Sequence, residues 1–443
     1  MRRLLTLLAF AAFSCSDQDG GAVESSFQGE IAWSKNYGGS LDEFVGNAAP
    51  TPDGGLIAIA YTDSNDGDVQ KQNASTEIWL LRLDAQGNKV WSRTLGGSAD
   101  DYGTSITATH DGHFAISGYS GSNDGDVPGN LGMHDFLISK IDIDGNILWS
   151  RNYGFMSHDH AHKVIGTKDG GFFIAGYADY AGIDDNGNGN SGPGHDMRGV
   201  QHGVGEFFGI KLDAQGNLEW YRYFGGTMND RVNDLALADD GGILMAGYTE
   251  SSDYDIEDSR GSYDYWVIKL DSEGSLHWKK NFGGSGIDQA FAIVNTGHNS
   301  YLVAGRSNST DGDVSSAIGN FDAWVVHFDD HGHLLWEKSF GTIDYDAAAS
   351  IRPWNGKFIL SGNSRGSIDG NNQGENDYWV FSIDAHPNTG IHWQKSLGGS
   401  SIDMATDALA VNSGLVVLGQ SQSADGDVSG TRGGADLWLV KLQ

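Results

Sequence analysis

The stretch HDHAH, His158 to His162, gathers three imidazoles around one carboxylate, Asp159. His and Asp are the side chains that ligate zinc, copper or iron and that move protons near neutral pH. A strand turns alternate residues to one side, so His160 and His162 are expected to share a face. His195 and His202 follow in a Gly- and Asn-rich stretch, Asp184 to Glu206. That stretch also carries Asp184, Asn186 and Asn188 before Gly189, the opening spacing of a calcium loop. Its closing Glu is missing, and His195 and Asp196 stand near the place. One expectation is a transition-metal or catalytic histidine site. The other is a polar strand followed by an insertion that ligates nothing.

A second pattern repeats. SNDGDV occurs at Ser64–Val69 and Ser122–Val127, STDGDV at Ser309–Val314 and SADGDV at Ser423–Val428. Each holds two acids two apart, and a third acid follows nine residues later. The sets are Asp66, Asp68 and Glu77; Asp124, Asp126 and Asp135; Asp311, Asp313 and Asp322; Asp425, Asp427 and Asp436. Asp253, Asp255 and Asp264 follow the same spacing. These are positions 1, 3 and 12 of a calcium loop, and carboxylates with carbonyls could supply the oxygens Ca2+ takes. Calcium is therefore a candidate cofactor. Recurrence favours scaffolding instead, because short carboxylates fix turns by accepting loop amides. The same holds for two complete rings of acids. One is Glu43, Asp101, Asp159, Asp230, Asp288, Asp346 and Asp403; the other is Glu77, Asp135, Glu206, Asp264, Asp322, Asp377 and Asp436.

The elements that position these residues follow from a repeat. Trp33, Trp91, Trp149, Trp220, Trp278, Trp336 and Trp393 recur at spacings of 58, 58, 71, 58, 58 and 57 residues, so the third copy carries a 13-residue insertion. Each copy reads as four short strands. Runs of β-branched and aromatic residues alternate with Gly, Asn and Asp turns, without helical periodicity. The expected fold is all-β, a seven-bladed β-propeller of four-stranded antiparallel blades over residues 29–443. The last copy ends at Asp436–Gln443, before its Trp strand, and Gly29–Gly39 supplies that strand. The N-terminal strand should therefore close the ring, leaving no free edge. The small-residue strand should be innermost and the Trp strand outermost. The Gly-pair and hexapeptide loops should share one face, the expected ligand face. Trp354 breaks the symmetry on the opposite face, where it could stack on a sugar.

The pattern W-x-K-x-x-G-G-S, D-G-G, D-G-D-V and D-x-W-x-x-K-L-D-x-x-G resembles propeller repeats of surface and secreted Bacteroidota proteins. That resemblance covers nearly the whole chain after residue 28. It implies the propeller fold. Some members are labelled endoglucanase-like, and the resemblance carries no catalytic motif onto this chain.

The start, MRRLLTLLAFAAFSCS, resembles a bacterial lipoprotein signal, with removal of residues 1–14 and lipidation of Cys15, the only cysteine. Residues 15–28 then form an acidic tether. The resemblance implies an outer-membrane lipoprotein exposed at the cell surface. Disulfides and thiolate metal sites are excluded after Cys15. The net charge of -32 argues against nucleic acid. The expected function is a lipid-anchored, monomeric binding module for a glycan or protein. The alternative is a carbohydrate-active enzyme with its centre near blade three, since paired carboxylates abound. A quinone-dependent dehydrogenase lacks any supporting motif.

Overall fold

A computed structural model describes residues 27–179, 205–368, 370, 373–411 and 414–443. The described residues form 28 strands in seven four-stranded antiparallel sheets. Six blades run in chain order: Glu43–Leu95, Asp101–Tyr153, Asp159–Phe224, Asp230–Phe282, Asp288–Phe340 and Asp346–Leu397. The seventh pairs Asp403–Val411, Gly414–Ser421 and Asp436–Leu442 with Ile31–Tyr37 from the opposite end of the chain. The protein is a seven-bladed β-propeller closed by its N-terminal strand, as the repeat phase requires.

Strand order inside a blade follows residue size. The small-residue strands line a central channel of about 460 Å³. Room at the axis is scarce, and each inner strand also carries a β-bulge that tightens its twist. The third strands are buried along nearly their whole length, and Trp79, Trp266, Trp324, Trp379 and Trp438 on them are fully buried. The outer Trp residues bridge blades. The Trp91 indole packs against Gly145 in the next blade's turn and donates to the Ile143 carbonyl at 3.1 Å. Trp354 is half-buried and meets Phe27 edge-on at 4.6 Å, so it is covered rather than free for a sugar.

The hexapeptide is a clasp for the Gly-pair loop entering its own blade. In Ser122–Val127, the Asp124 carboxylate accepts the Ser98 amide at 2.7 Å. The Asp126 amide donates to the Gly96 carbonyl at 3.0 Å, and the Ser122 hydroxyl accepts the Ala99 amide at 3.0 Å. Val127 is buried and pins the loop to the core. Gly125 takes φ of 64°, and a Cβ there would collide with the Gly96 carbonyl oxygen. In blade four Tyr254 occupies the equivalent place and holds φ of 51°, a left-handed conformation that L-residues disfavour.

These two positions give opposite predictions. Gly125→Ala should lower stability by about 1–3 kcal/mol, through strain and collision. Tyr254→Gly should raise it by about 1 kcal/mol. Urea unfolding of the two variants checks both signs, and a destabilised Tyr254→Gly would refute the strain argument.

Candidate ligand face and histidine cluster

Both acid rings end up buried at the blade junctions. The inner-strand acids accept an amide of the preceding loop: Gly97 to Asp101 at 2.7 Å, Gly226 to Asp230 at 2.7 Å, Gly399 to Asp403 at 2.8 Å. The third-strand acids accept the amide four residues before them: Leu131 to Asp135 at 2.5 Å, Arg260 to Asp264 at 2.7 Å, Arg432 to Asp436 at 2.7 Å. Members of the two rings face each other across the first glycine of the loop. A Cβ on Gly154 would meet Asp135 and Asp159, and one on Gly283 would meet Asp264 and Asp288. Burial pushes these carboxyls up, Glu43 to about 7, Asp135, Asp230 and Asp264 to about 6, and Asp159 to about 8. The facing Asp135 pushes Asp159 the same way.

The three acids of each hexapeptide window are held apart. Asp66, Asp124, Asp311 and Asp425 accept loop amides. Asp68 pairs with Lys89 and Arg432, and Arg260 pairs with Asp313 at 2.5 Å. Asp126 is held through its backbone amide, and the Asp427 carboxylate receives the Gly398 amide at 3.3 Å. Glu77, Asp135, Asp322 and Asp436 hold the loops before their own strands. Asp184, Asn186, Asn188, His195, His202 and Cys15 lie outside the described residues.

Among the described residues, one set of three or more His, Cys, Asp or Glu brings its ligand atoms within 4.8 Å of one another: His134, His158 and His160. The Nδ1 atoms of His134 and His158 are 3.0 Å apart, and His134 Nδ1 is 3.1 Å from His160 Nε2. A backbone bridge that recurs at other junctions places residue 134 beside residue 158. Here both are histidine. The Asp159 amide donates to the His134 carbonyl at 2.8 Å and locks the pair. His160 lies two residues further on, its ring stacked on Tyr119 at 3.9 Å, and its Nδ1 is 2.7 Å from the Tyr177 hydroxyl. Burial first, then the neighbouring imidazoles, pull His160 down to about 3.

His162 does not join this cluster. The inner-strand bulge between Ala161 and Lys163 breaks the alternation expected from sequence. Its Nδ1 instead lies 2.8 Å from the Val232 carbonyl, in the channel wall. Asp159 is fully buried beneath the cluster.

The channel mouth on this face is asymmetric. The second inner-strand residue pairs across strands with a residue near the end of the next strand: Phe44 with Tyr61, Tyr102 with Tyr119, His160 with Tyr177, Arg231 with Tyr248. Phe44 stacks on Tyr61 at 4.9 Å and Tyr102 on Tyr119 at 4.6 Å, and Arg231 lies over Tyr177 at 4.1 Å. In blades six and seven the same positions hold Ala347 with Asn363 and Met404 with Gln420. Exposed Leu131 (66 %), Met133 (60 %) and Met156 (79 %) flank the histidines. The Met133 amide donates to the Ser157 carbonyl at 3.1 Å, so the two loops carrying these side chains adjoin.

No protein-family model matches the chain. Residues over 32 % of it are 29 % identical to 16 % of the regulatory protein FlaEY of Caulobacter vibrioides. Over 46 % it is 21 % identical to 17 % of an uncharacterized WD repeat-containing protein, L264, of Acanthamoeba polyphaga mimivirus. The chain thus spans less than a fifth of the length of these curated relatives. Among solved structures, Drosophila Plexin A in complex with Semaphorin 1b is 9 % identical, with 94 % of this chain and 87 % of that one covered and a TM-score of 0.47. The Neurospora crassa Pan2 WD40 domain is 11 % identical, covering 72 % and 86 %, with a TM-score of 0.39. The fold assignment itself rests on the strand order and the closed ring.

The junction carboxyls set a pH dependence. A carboxyl whose folded pKa is raised stabilises the fold fully below its unfolded pKa, and that share is lost as pH rises through the folded value. The melting temperature should therefore fall as pH rises from about 5 to about 8. Glu43→Gln, an isostere that can donate to Asp436, should flatten this slope. An unchanged slope in thermal scans across that range would count against the buried-acid account.

Proposed function

We propose that this chain is a binding propeller whose ligand is a protein, docked on the loop face over blades one to four. The observation that carries this is the exposed Leu131, Met133 and Met156 beside the aromatic and Arg-bearing channel mouth. Aromatic residues, Met and Arg are the types enriched in protein interfaces, and Met adapts to irregular partners. The ring faces of Phe44, Tyr61, Tyr102 and Tyr119 are largely engaged with one another. They present edges more than the open faces a sugar would stack on. The buried Asp135 and Asp159 are out of reach of a substrate, which weakens the carbohydrate-enzyme alternative at that junction.

Replacing Met133 and Met156 together with Asp puts charge on the surface without touching the core. The double variant should lose at least about tenfold in affinity for a partner captured from envelope extracts, which is about 1.4 kcal/mol. Retained capture, or a positive glycan array with silent protein capture, would overturn the protein-ligand reading.

We propose further that Cys15 carries a lipid that anchors the propeller to the outer membrane, by the resemblance of MRRLLTLLAFAAFSCS to a lipoprotein signal. No helix among the described residues is long and apolar enough to cross a membrane. Metabolic labelling with a fatty-acid probe should mark the protein and should be lost in Cys15→Ser. Equal labelling of both would exclude that anchor.

A further inference from the structure

We propose that His134, His158 and His160 form a transition-metal site at the junction of blades two and three, holding a divalent ion such as Zn2+ or Cu2+ through three imidazoles and leaving one position open to solvent or ligand. The inference is independent of which ligand docks on the face, because metal content is read without one.

Geometry carries the argument. His134 Nδ1 lies 3.0 Å from one imidazole nitrogen and 3.1 Å from another. A ring nitrogen bears at most one proton, so one proton on His134 serves two neighbours poorly. A metal ion satisfies all three lone pairs at once. Tetrahedral bonds of 2.0–2.1 Å to nitrogen set ligand separations of about 3.3 Å, close to those present. Three protein ligands with a fourth position free is the arrangement of an open zinc site.

The cluster is also supported like a ligand set. The backbone bridge fixes residues 134 and 158 side by side. Tyr177 engages the far nitrogen of His160, leaving Nε2 directed at His134. Such an outer partner sets the ring's tautomer and orientation. Tyr119 lies parallel to the His160 ring, with an interplanar angle of 1°. The three imidazoles are half-buried, so an ion can enter from the loop face. Imidazole ligands with no thiolate suit Zn2+, Cu2+ or Ni2+ and not Ca2+ or Mg2+.

The test titrates Zn2+ into the purified, chelator-stripped protein against a competing indicator. One equivalent should bind. His134→Gln, His158→Gln and His160→Gln should each weaken binding at least about 100-fold, and Tyr177→Phe about tenfold. His110→Gln and His113→Gln should leave it unchanged. Melting temperatures of the metal-free variants within about 3 °C of the parent would show that the fold survives. A second readout needs no variant: Zn2+ should protect these three histidines from carbethoxylation, scored by mass spectrometry. The proposal is overturned if no stoichiometric binding occurs, or if Zn2+ leaves these three histidines as reactive as before. It is overturned equally if His134→Gln and His160→Gln keep the parent's affinity, which would place the ion elsewhere.

Discussion

A carboxylate taken out of water has to be compensated, and the whole ring depends on how each blade junction does it. Burying an unpaired charge costs several kcal/mol. At each junction one acid from the inner strand and one from the preceding third strand are buried together; the entering loop donates an amide to the first, and the loop before the third strand donates one to the second. That requirement dictates the loop. A side chain at Gly97 would strike Asp124 and Ser122, and one at Gly96 would strike Asp101. The Gly pair, the acids and the hexapeptide clasp are thus one device, complete in five blades, while blades three and six keep the acids without the second glycine or the hexapeptide.

The device relaxes in blade three, and there the surface becomes individual. Phe155 stands where most blades have the second glycine of the pair. Ala178 lies opposite Asp159, where Thr62, Ser120, Thr249 and Ser421 give a hydroxyl to the matching acid in other blades. Asp159 consequently keeps one oxygen without a hydrogen-bond partner and has the highest of the raised carboxyl pKa values quoted above. The histidines and the exposed methionines all gather at this same junction or beside it. The regular blades hold the geometry still enough for blade three to depart from it.

The fold was legible because its causes are periodic. The Trp spacing, the Gly pairs and the absence of helical periodicity define four strands per blade and the ring closure. The site was legible only in part. His158 and His160 drew notice because they lie two residues apart in one short stretch. His134 did not, because it sits 24 residues earlier and looks like an isolated loop residue. Aligning the copies would have found it: the residue before the third-strand acid always lies near the residue before the next inner-strand acid. His162 misled because a bulge, invisible in residue types, interrupts the alternation. The acids of the hexapeptide left two readings open, because their spacing along the chain resembles a metal loop, while the fold shows them clasping turns, each held by a different partner.

Ring closure has a consequence for how the chain reaches this state. Ser34 receives a hydrogen bond from Trp438, 404 positions away. Loop closure over such a separation is entropically costly and makes formation slow. Blades one to six can assemble from contacts within about sixty residues of chain, while Ile31–Tyr37 waits for the final strand to emerge. Until then the nascent chain carries an unpaired first strand and an incomplete last blade. A truncation of a few C-terminal residues would therefore leave the barrier to final locking uncrossed, although six blades were already made.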